Sequence, residues 1–247
     1  MKLQKHLAQG RIIYFKAGQQ QLTITESNHY RWLSLNDVVQ SIMLKRHPCQ
    51  LVLPHQLAMV LPLQFFKPHN ILEIGLGGGA LIRFIKQLLP HCNFTSLELD
   101  KSVIDAFNCF FNPAQHYTTI INEGAECWLK TQPCVNVDWL IIDVFLTMND
   151  SVISSGLVNM VLNKTQEQTL ITLNLPNEQA HSVNALLKHL KQITGAQVLY
   201  FNVPHYKNIV VHILPVMNEA LTDNPLSPLK PYQQSRWHSL WQHGIQL

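Results

Sequence analysis

One glycine-rich stretch, Glu73-Ile74-Gly75-Leu76-Gly77-Gly78-Gly79, restricts the possible folds of this chain more than any other feature. The stretch begins at the end of an apolar run at 71–74, and an amphipathic segment follows it at 80–89. This succession predicts a strand, a tight turn and a helix. Glycines permit positive φ angles and let a ligand approach the main chain. The first turn of the helix offers free N–H groups and a partial positive charge. The stretch therefore predicts a ligand-binding turn.

Three interpretations of this turn are open. Gly75, Gly77 and Ala80 fit the Gly-x-Gly-x-x-Ala pattern of dinucleotide-binding folds, with Glu98 near the ribose. The whole stretch from Glu73 to Gly79 also resembles the first motif of transferases that use S-adenosylmethionine (AdoMet). We favour the second interpretation because it matches more positions and because a β-rich segment precedes the loop. The third interpretation is a structural turn without a ligand.

The order of the remaining segments predicts the fold class. Three β-prone runs within residues 11–43 are separated by turn residues and predict an antiparallel meander, and residues 54–66 favour a helix. From residue 70 onward strands and helices alternate, which is typical of βαβ units. We expect strands at 71–74, 94–99, 118–121, 138–144, 169–173, 198–202 and 208–213, and helices at 80–89, 101–111 and 177–193. The prediction is an α/β fold: a doubly wound, mostly parallel Rossmann-like sheet of the class I AdoMet methyltransferase type, with a small N-terminal antiparallel β domain.

The predicted division places a β-rich domain at residues 1–50, an AdoMet-type α/β domain at 51–223 and a C-terminal extension at 224–247. The extension contains prolines and is expected to be either poorly structured or docked on the α/β domain.

Acidic residues follow three of the predicted strands, where ligands of such sheets bind. Glu98 can accept hydrogen bonds from both ribose hydroxyls; the alternative is a helix cap, a role that Asp100 fits better. Glu123 can accept from an adenine amino group, and Gly124 leaves space for the flat ring. Asp143 ends the most apolar run and suits a base or an amine anchor, the alternative being a cap of the next turn.

Taken together, these residues resemble the spermidine synthase (polyamine aminopropyltransferase) family over roughly residues 20–215. The resemblance rests on the β-rich segment with Val39-Gln40-Ser41, the glycine loop, Leu97-Glu98-Leu99-Asp100, Asn122-Glu123-Gly124 and Asp143. It implies a dimer formed through the N-terminal part. It also implies transfer of an aminopropyl group from decarboxylated AdoMet to a small amine, with methylthioadenosine as the second product.

The resemblance also implies site residues. Asp143 would be the catalytic acid that orients and helps to deprotonate the amine. The cofactor, AdoMet or decarboxylated AdoMet, would contact Gln40, Glu73, Gly75, Gly77, Gly78, Gly79, Glu98, Leu99, Glu123, Gly124 and Ala125.

Departures from the family pattern keep other functions open. Gly78 stands where the family has an aspartate that holds the terminal amine of the cofactor, and Leu146 replaces a second carboxylate that holds the diamine. His55-Gln56 is the nearest match for a Tyr-Gln pair beside the acceptor. A methyltransferase acting on a small molecule and a non-catalytic nucleoside-binding homologue are therefore the alternatives.

Composition excludes several other classes. The net charge of +3 comes from scattered lysines and arginines, which argues against a nucleic-acid partner. The longest apolar stretches are too short to span a bilayer, and the first residues lack the apolar core of a signal peptide, so we expect a cytoplasmic protein. The five cysteines are odd in number and lack Cys-x-x-Cys spacing, which predicts reduced, buried thiols and no metal site.

Overall fold

The computed structural model describes residues 2–144, 155–176, 180–203, 206, 208–215 and 237–246. After a short helix at Lys2–Leu7 (α1), the chain forms a four-stranded antiparallel sheet in the order β1-β2-β3-β4, which confirms the predicted meander. Its strands are Arg11–Lys16 (β1), Leu22–Glu26 (β2), Tyr30–Leu35 (β3) and Val38–Leu44 (β4). Asn36 and Asp37 join β3 to β4 at positive φ angles of 45° and 64°, as a two-residue hairpin turn requires.

A second sheet of eight strands has the order β12-β10-β11-β9-β8-β5-β6-β7. The strands are Asn70–Ile74 (β5), Asn93–Leu97 (β6), Thr119–Ile121 (β7), Trp139–Ile142 (β8), Leu170–Pro176 (β9), Val198–Asn202 (β10), Asn208–Ile213 (β11) and Ile245–Gln246 (β12). Strands β5 to β9 pair in parallel, whereas β11 runs antiparallel to both β9 and β10. The predicted mostly parallel, doubly wound sheet is therefore confirmed.

The first helix packs Leu3 and Leu7 against the N-terminal sheet, and the later helices flank the eight-stranded sheet. The helices are Lys2–Leu7 (α1), Pro54–Met59 (α2), Ala80–Leu88 (α3), Lys101–Ala106 (α4), Ala125–Thr131 (α5), Ser155–Lys164 (α6) and Ala180–Thr194 (α7), with a π-helical turn at Phe107–Phe111 after α4. The single helix predicted at 54–66 was wrong: α2 ends at Met59, and a 3₁₀ turn follows at Leu61–Gln64. Pro62 explains the break, because proline disfavours helical angles in the residue before it and lacks an N–H. Among the described residues, no helix is long and apolar enough to cross a membrane.

The two sheets share one hydrophobic core. Leu22, Ile24 and Leu33 of the first sheet belong to the same buried cluster as Ile71 of β5 and Phe107 beyond α4. A second cluster covers the opposite face of the eight-stranded sheet and is built largely from β8, β9, β11, α6 and α7. The division at residue 50 stays a prediction, since the N-terminal sheet does not have a core separate from that of the α/β part.

The end of the chain packs against the α/β part. Residues 237–241 form a helical turn, and β12 pairs with β10. Trp237 is 5% exposed and stacks on Phe84 of α3, with ring centroids 5.6 Å apart. The described part of the predicted extension, residues 237–246, is therefore docked, whereas residues 224–236 lie outside the described part of the chain.

A buried chain of hydrogen bonds ties α2 to the sheet. His212 Nε2 lies 3.1 Å from the Ala58 carbonyl oxygen, so this nitrogen carries the proton and donates. His212 Nδ1 then accepts from the Thr172 hydroxyl at 2.9 Å, and Thr172 in turn accepts from Trp139 Nε1 at 2.9 Å. Burial lowers the pKa of His212 to about 3, so the imidazole is neutral at physiological pH.

This histidine predicts a loss of stability in acid. Its pKa in the folded chain, about 3, lies below the value of about 6.5 expected in the unfolded chain. The stabilisation is therefore complete above pH 6.5 and declines as the pH falls toward 3, by about 1.4 kcal/mol per pH unit. We expect the difference in unfolding free energy between wild type and His212→Gln to shrink with this slope, measured by urea unfolding between pH 7 and 4. A difference independent of pH would contradict the assignment.

Candidate functional site

The glycine loop joins β5 to α3 at the point where the sheet order reverses, since β6 lies on one side of β5 and β8 on the other. This switch point is where ligands of open α/β sheets bind. Gly75 has a φ of 97°, and a Cβ atom built on it would lie 2.8 Å from the carbonyl carbon of Asp143 and closer still to its oxygen. The loop and the residue after β8 are therefore in direct backbone contact, which only glycine permits.

Gly78 is glycine for a different reason. Its φ is not positive, but an added Cβ would lie 2.5 Å from Ser41 Oγ and 2.8 Å from Ser41 Cβ. Ser41 is buried on β4, so the N-terminal sheet packs directly against the loop. A side chain at position 78 therefore has no room while Ser41 is in place.

Gln40, the residue before Ser41, lies at an irregularity of the sheet. Leu33 pairs with Ser41 and Ser34 pairs with Val39, which leaves Gln40 as the extra residue of a β-bulge. Bulges redirect side chains and are common beside active sites. Gln40 is half-buried, and its Nε2 donates to the Val38 carbonyl at 3.3 Å. Its neighbour Ser41 is the residue of β4 that lies against the glycine loop, and a contact between Gln40 and the cofactor stays a prediction.

Glu98 immediately follows β6 and holds the glycine loop. Its Oε2 accepts from the Leu76 N–H at 3.1 Å, and its Oε1 accepts from the Asp100 N–H at 2.9 Å. Burial raises the pKa of Glu98, and the hydrogen bonds from backbone N–H groups oppose that shift. The helix cap is Asp100, which directly precedes α4 and accepts from the Ser102 N–H at 2.7 Å.

The residues after β6 and β7 lie side by side. Asn122 donates to the carbonyl oxygens of Glu98 and Leu99, both at 2.9 Å. Leu99 is 75% exposed, and a Cβ on Gly124 would lie 3.6 Å from its Cδ1. An apolar side chain thus stands uncovered next to a glycine at the carboxyl edge of the sheet, a surface suited to a flat ring.

Glu123 and Ala125 flank Gly124 and are both half-buried, and Ala125 begins α5. Glu73 is placed differently, because its side chain is 2% exposed and accepts from Ser96 Oγ at 2.5 Å within the sheet. Burial raises the pKa of Glu73 well above its ordinary value; Ser96 opposes the shift, and the charges of Asp143 and Glu98 add to it.

Asp143 is oriented by a chain of two asparagines. Asn174 of β9 donates to Asp143 Oδ1 at 2.8 Å, and Asn208 of β11 donates to Asn174 Oδ1 at 3.0 Å. The backbone N–H of Asp143 donates to the Ile74 carbonyl at 2.8 Å. The carboxylate is therefore fixed relative to both the sheet and the glycine loop.

Arg83 was not predicted as part of the site. It is 1% exposed on α3, and its guanidinium donates to the carbonyl oxygens of Gly78, of Pro48 at 2.7 Å and of Phe111 at 2.8 Å. Burial lowers the pKa of Arg83 to about 10, so it stays protonated at pH 7. The sequence could have pointed to Arg83, because it is the charged residue within the apolar run Leu81-Ile82-Arg83-Phe84-Ile85.

Replacing Arg83 with methionine is expected to destabilise the fold by about 3–5 kcal/mol, because three carbonyl groups lose a charged donor. Arg83→Lys should recover only part of this loss, since an ammonium lacks the planar fork of the guanidinium. Lys130→Met, at an exposed position of α5, serves as the control and should cost less than about 1 kcal/mol. Denaturant unfolding measures all three; equal losses for Arg83→Met and Lys130→Met would contradict this role.

Other missed residues belong to the same region. Asn174 and Ser41 lie beside predicted site residues, and the polar Asn174 within the apolar strand Leu170–Pro176 was the available signal. Leu146 and its neighbours at 145–147 lie outside the described part of the chain.

The cysteine prediction was partly wrong. Cys109, Cys127 and Cys134 are exposed, whereas Cys92 is buried; all five cysteines are free. Within the described residues, no group of three or more histidine, cysteine or acidic side chains is arranged to hold a metal ion.

The similarity to polyamine aminopropyltransferases predicted from the loop and the acidic residues is confirmed by known sequences. The chain is 36% identical to the polyamine aminopropyltransferase of Neisseria meningitidis serogroup A over 136 residues, which cover 53% of this chain and 51% of that protein. It is also 36% identical to the polyamine aminopropyltransferase of Chromobacterium violaceum over 93 residues, covering 37% of this chain and 36% of that protein. The match thus covers about half the length of the Neisseria meningitidis relative and about a third of the Chromobacterium violaceum relative. No protein-family model matches the chain.

Solved structures confirm the fold. A probable spermidine synthase from Corynebacterium glutamicum superimposes with a TM-score of 0.72 at 14% identity, over 92% of this chain and 87% of that one. A spermidine synthase in complex with the transition-state analogue AdoDATO gives 0.63 at 13% identity, over 90% and 77%. Human methyltransferase-like protein 13 in complex with SAH gives 0.60 at 16% identity, over 76% and 91%.

Proposed function

We propose that this chain binds an adenosine sulfonium along the carboxyl ends of β5, β6 and β7. Gly75 to Gly79 would lie against the sulfonium side, Glu98 would accept from the ribose hydroxyls, and Leu99 with Gly124 would contact the adenine ring. Glu123 and Ala125 would border the adenine, while Gln40 would close the site from the N-terminal sheet. The support is the proximity of these groups in the structure and the two similar structures that are complexes with AdoDATO and with SAH.

We propose that the reaction is transfer of an aminopropyl group from decarboxylated AdoMet to an amine, with Asp143 as the acid that faces the amine. The observation that carries this proposal is the backbone contact between Gly75 and Asp143. The main chain of Asp143 lies against the loop that would hold the sulfonium, and this supports a role for its carboxylate in aligning an amine for direct displacement. The relatives named polyamine aminopropyltransferase support it.

A methyltransferase that uses AdoMet itself is the second candidate. One observation favours it: the N-terminus of α3 begins at Gly79 with no side-chain cap, so its first N–H groups and partial positive charge suit a carboxylate. Gly78 likewise brings no anion that would repel the carboxylate of AdoMet. The choice between the two donors is therefore the main point that an experiment must decide.

Calorimetry against AdoMet, decarboxylated AdoMet and methylthioadenosine tests nucleoside binding. We expect Glu98→Gln to weaken all three, because the amide nitrogen cannot accept hydrogen bonds from the loop and the ribose together. The matched control Glu126→Gln changes an exposed glutamate of α5 and should bind as wild type does. Binding of none of the three by the wild type would overturn the proposal.

Turnover is tested with both donors against a panel of diamines with three to five carbons, spermidine and simple monoamines. Release of methylthioadenosine from decarboxylated AdoMet, together with alkylated amine, is the expected result. Methyl transfer from AdoMet would instead support the second candidate. Tight nucleoside binding without turnover for either donor would identify the chain as a non-catalytic homologue, as the changes at Gly78 and Leu146 allow.

We also propose a homodimer formed through the N-terminal sheet. Ile12, Phe15 and Val38 are large apolar residues of that sheet that are 63%, 54% and 48% exposed. Surfaces of this kind mark protein interfaces when they are contiguous. Sedimentation analysis should give twice the chain mass for the wild type and a shift toward monomer for Ile12→Lys with Phe15→Lys.

A further inference from the structure

His55 has a titratable side chain to which the proposed function assigns no role. It is the second residue of α2, directly after Pro54. Its Nδ1 is buried and has no hydrogen-bond partner among the described residues. Leaving a buried polar atom unpaired costs about 1–3 kcal/mol, so such an atom needs an explanation. A ligand that supplies the missing partner is one.

The position of α2 is set by the buried chain described above. His212 donates to the carbonyl oxygen of Ala58, one turn beyond His55, and thereby holds the helix against β11. The strands that pack against α2 are β9 and β11. Of their residues only His212 is titratable, and burial lowers its pKa to about 3, so it brings no charge near neutral pH.

Helix α2, which carries His55, packs against β9 and β11, the two strands that carry Asn174 and Asn208. Burial lowers the pKa of His55, and the negative charge of Asp143 opposes that shift. Asp143 itself is oriented by Asn174 and Asn208. An imidazole with an unpaired buried nitrogen and a fixed carboxylate therefore lie in one region, beside the glycine loop.

We propose that Nδ1 of His55 accepts the proton that the amine substrate loses, while Asp143 anchors the amine. This inference rests on the proposed function. The bound ammonium gives one proton to His55, and the lone pair set free forms a bond to the carbon attached to the sulfonium. The carbon–sulfur bond breaks, and its electron pair neutralises the sulfur. The products are a secondary ammonium ion, a thioether and a protonated His55 that later returns its proton to solvent.

The charges of the site suit this sequence of steps. Burial keeps the pKa of His55 low, so the imidazole is neutral and able to accept a proton at pH 7. The adjacent sulfonium cation lowers the pKa of the bound amine, and the carboxylate of Asp143 stabilises the imidazolium once it forms. A neutral base next to one carboxylate also adds less negative charge than two carboxylates would. The acceptor that fits is therefore an amine with a single positive charge near Asp143.

His55→Gln tests the proposal, because glutamine keeps hydrogen-bonding groups but does not titrate between pH 5 and 9. With decarboxylated AdoMet and the best amine of the panel, we expect kcat to fall about 10²–10⁴-fold. The dissociation constant of methylthioadenosine and the unfolding midpoint should stay near those of wild type. The acidic limb of log kcat/KM against pH should lose one unit of slope, and imidazole added to His55→Ala should restore part of the rate. His91→Gln, at an exposed position, is the matched control and should behave as wild type does.

The outcomes separate the two proposals. If wild type transfers the aminopropyl group and His55→Gln keeps its rate and pH profile, this inference is wrong and the proposed function stands. If wild type binds methylthioadenosine but alkylates no amine, both fail. Histidine NMR provides a second test. Asp143→Asn should lower the pKa of His55, because the negative charge of Asp143 raises it. An unchanged pKa would show that the two side chains do not interact and would refute the inference.

Discussion

Asp143→Asn is expected to lower kcat/KM for the amine by about 10²–10³-fold while leaving the dissociation constant of methylthioadenosine within a factor of about two. The asparagine can still accept from Asn174 through its own carbonyl oxygen, so the hydrogen-bonded chain to Asn208 is preserved. What is lost is the negative charge that anchors an ammonium ion, and charge-assisted contacts of this kind contribute about 1.5–3 kcal/mol. The variant also lacks the negative charge that stabilises the imidazolium of His55 during proton transfer, which lowers kcat/KM further.

Steady-state kinetics with decarboxylated AdoMet, combined with calorimetry of methylthioadenosine, measures both parts of this expectation. Asp105→Asn is the control, because it removes a carboxylate from an exposed site on α4 where the side chain pairs with Lys101. It should change neither quantity. A variant Asp143→Asn with the full rate would remove Asp143 from the catalytic role and leave it as a strand-end cap.

Gly75→Ala is expected to abolish measurable nucleoside binding and to destabilise the fold by about 2–5 kcal/mol. The φ of 97° disfavours any residue with a Cβ, and here that atom would also overlap the Asp143 carbonyl group. Either β8 moves away from β5 or the loop changes its path, and both responses disturb the crevice at the switch point.

Gly195→Ala separates the two causes of that loss. Gly195 has a φ of 59° after the end of α7, with nothing within 4 Å of an added Cβ. It should therefore cost only about 1 kcal/mol and leave nucleoside binding intact. Thermal unfolding and calorimetry on both variants test the contrast. Equal destabilisation by the two changes would show that backbone angle, and not the contact with Asp143, controls the Gly75 position.

The elements that the sequence predicted well are those whose signal is local. The apolar strand and the glycines after it determine β5, the turn and α3, and the turn residues Asn36 and Asp37 determine the β3–β4 hairpin. Helices α5 and α6 were missed. Ala125–Thr131 is short and half-exposed, and Ser155–Lys164 has polar residues at both ends, so neither displays a clear apolar stripe.

The strand order could not be predicted from local sequence patterns. Strand β11 lies between β9 and β10, antiparallel to both, although it follows them in the chain. This insertion is what brings Asn208 to Asn174, and thereby to Asp143. The positions of Glu98 and Asp143 at strand ends were predictable from the sequence. The partners that orient them were not, because those contacts depend on which strands become neighbours.

The contact between Trp237 and Phe84 has a consequence for how the chain reaches its native state. Helix α3, which begins at the glycine loop, packs its Phe84 ring against a tryptophan that a ribosome adds only after every strand from β5 to β11 has been synthesised. A nascent polypeptide stopped before residue 237 leaves that ring without its stacking partner. This part of the core is therefore completed only after β5 to β11 have been made, and replacing Trp237 would be felt at the glycine loop through α3.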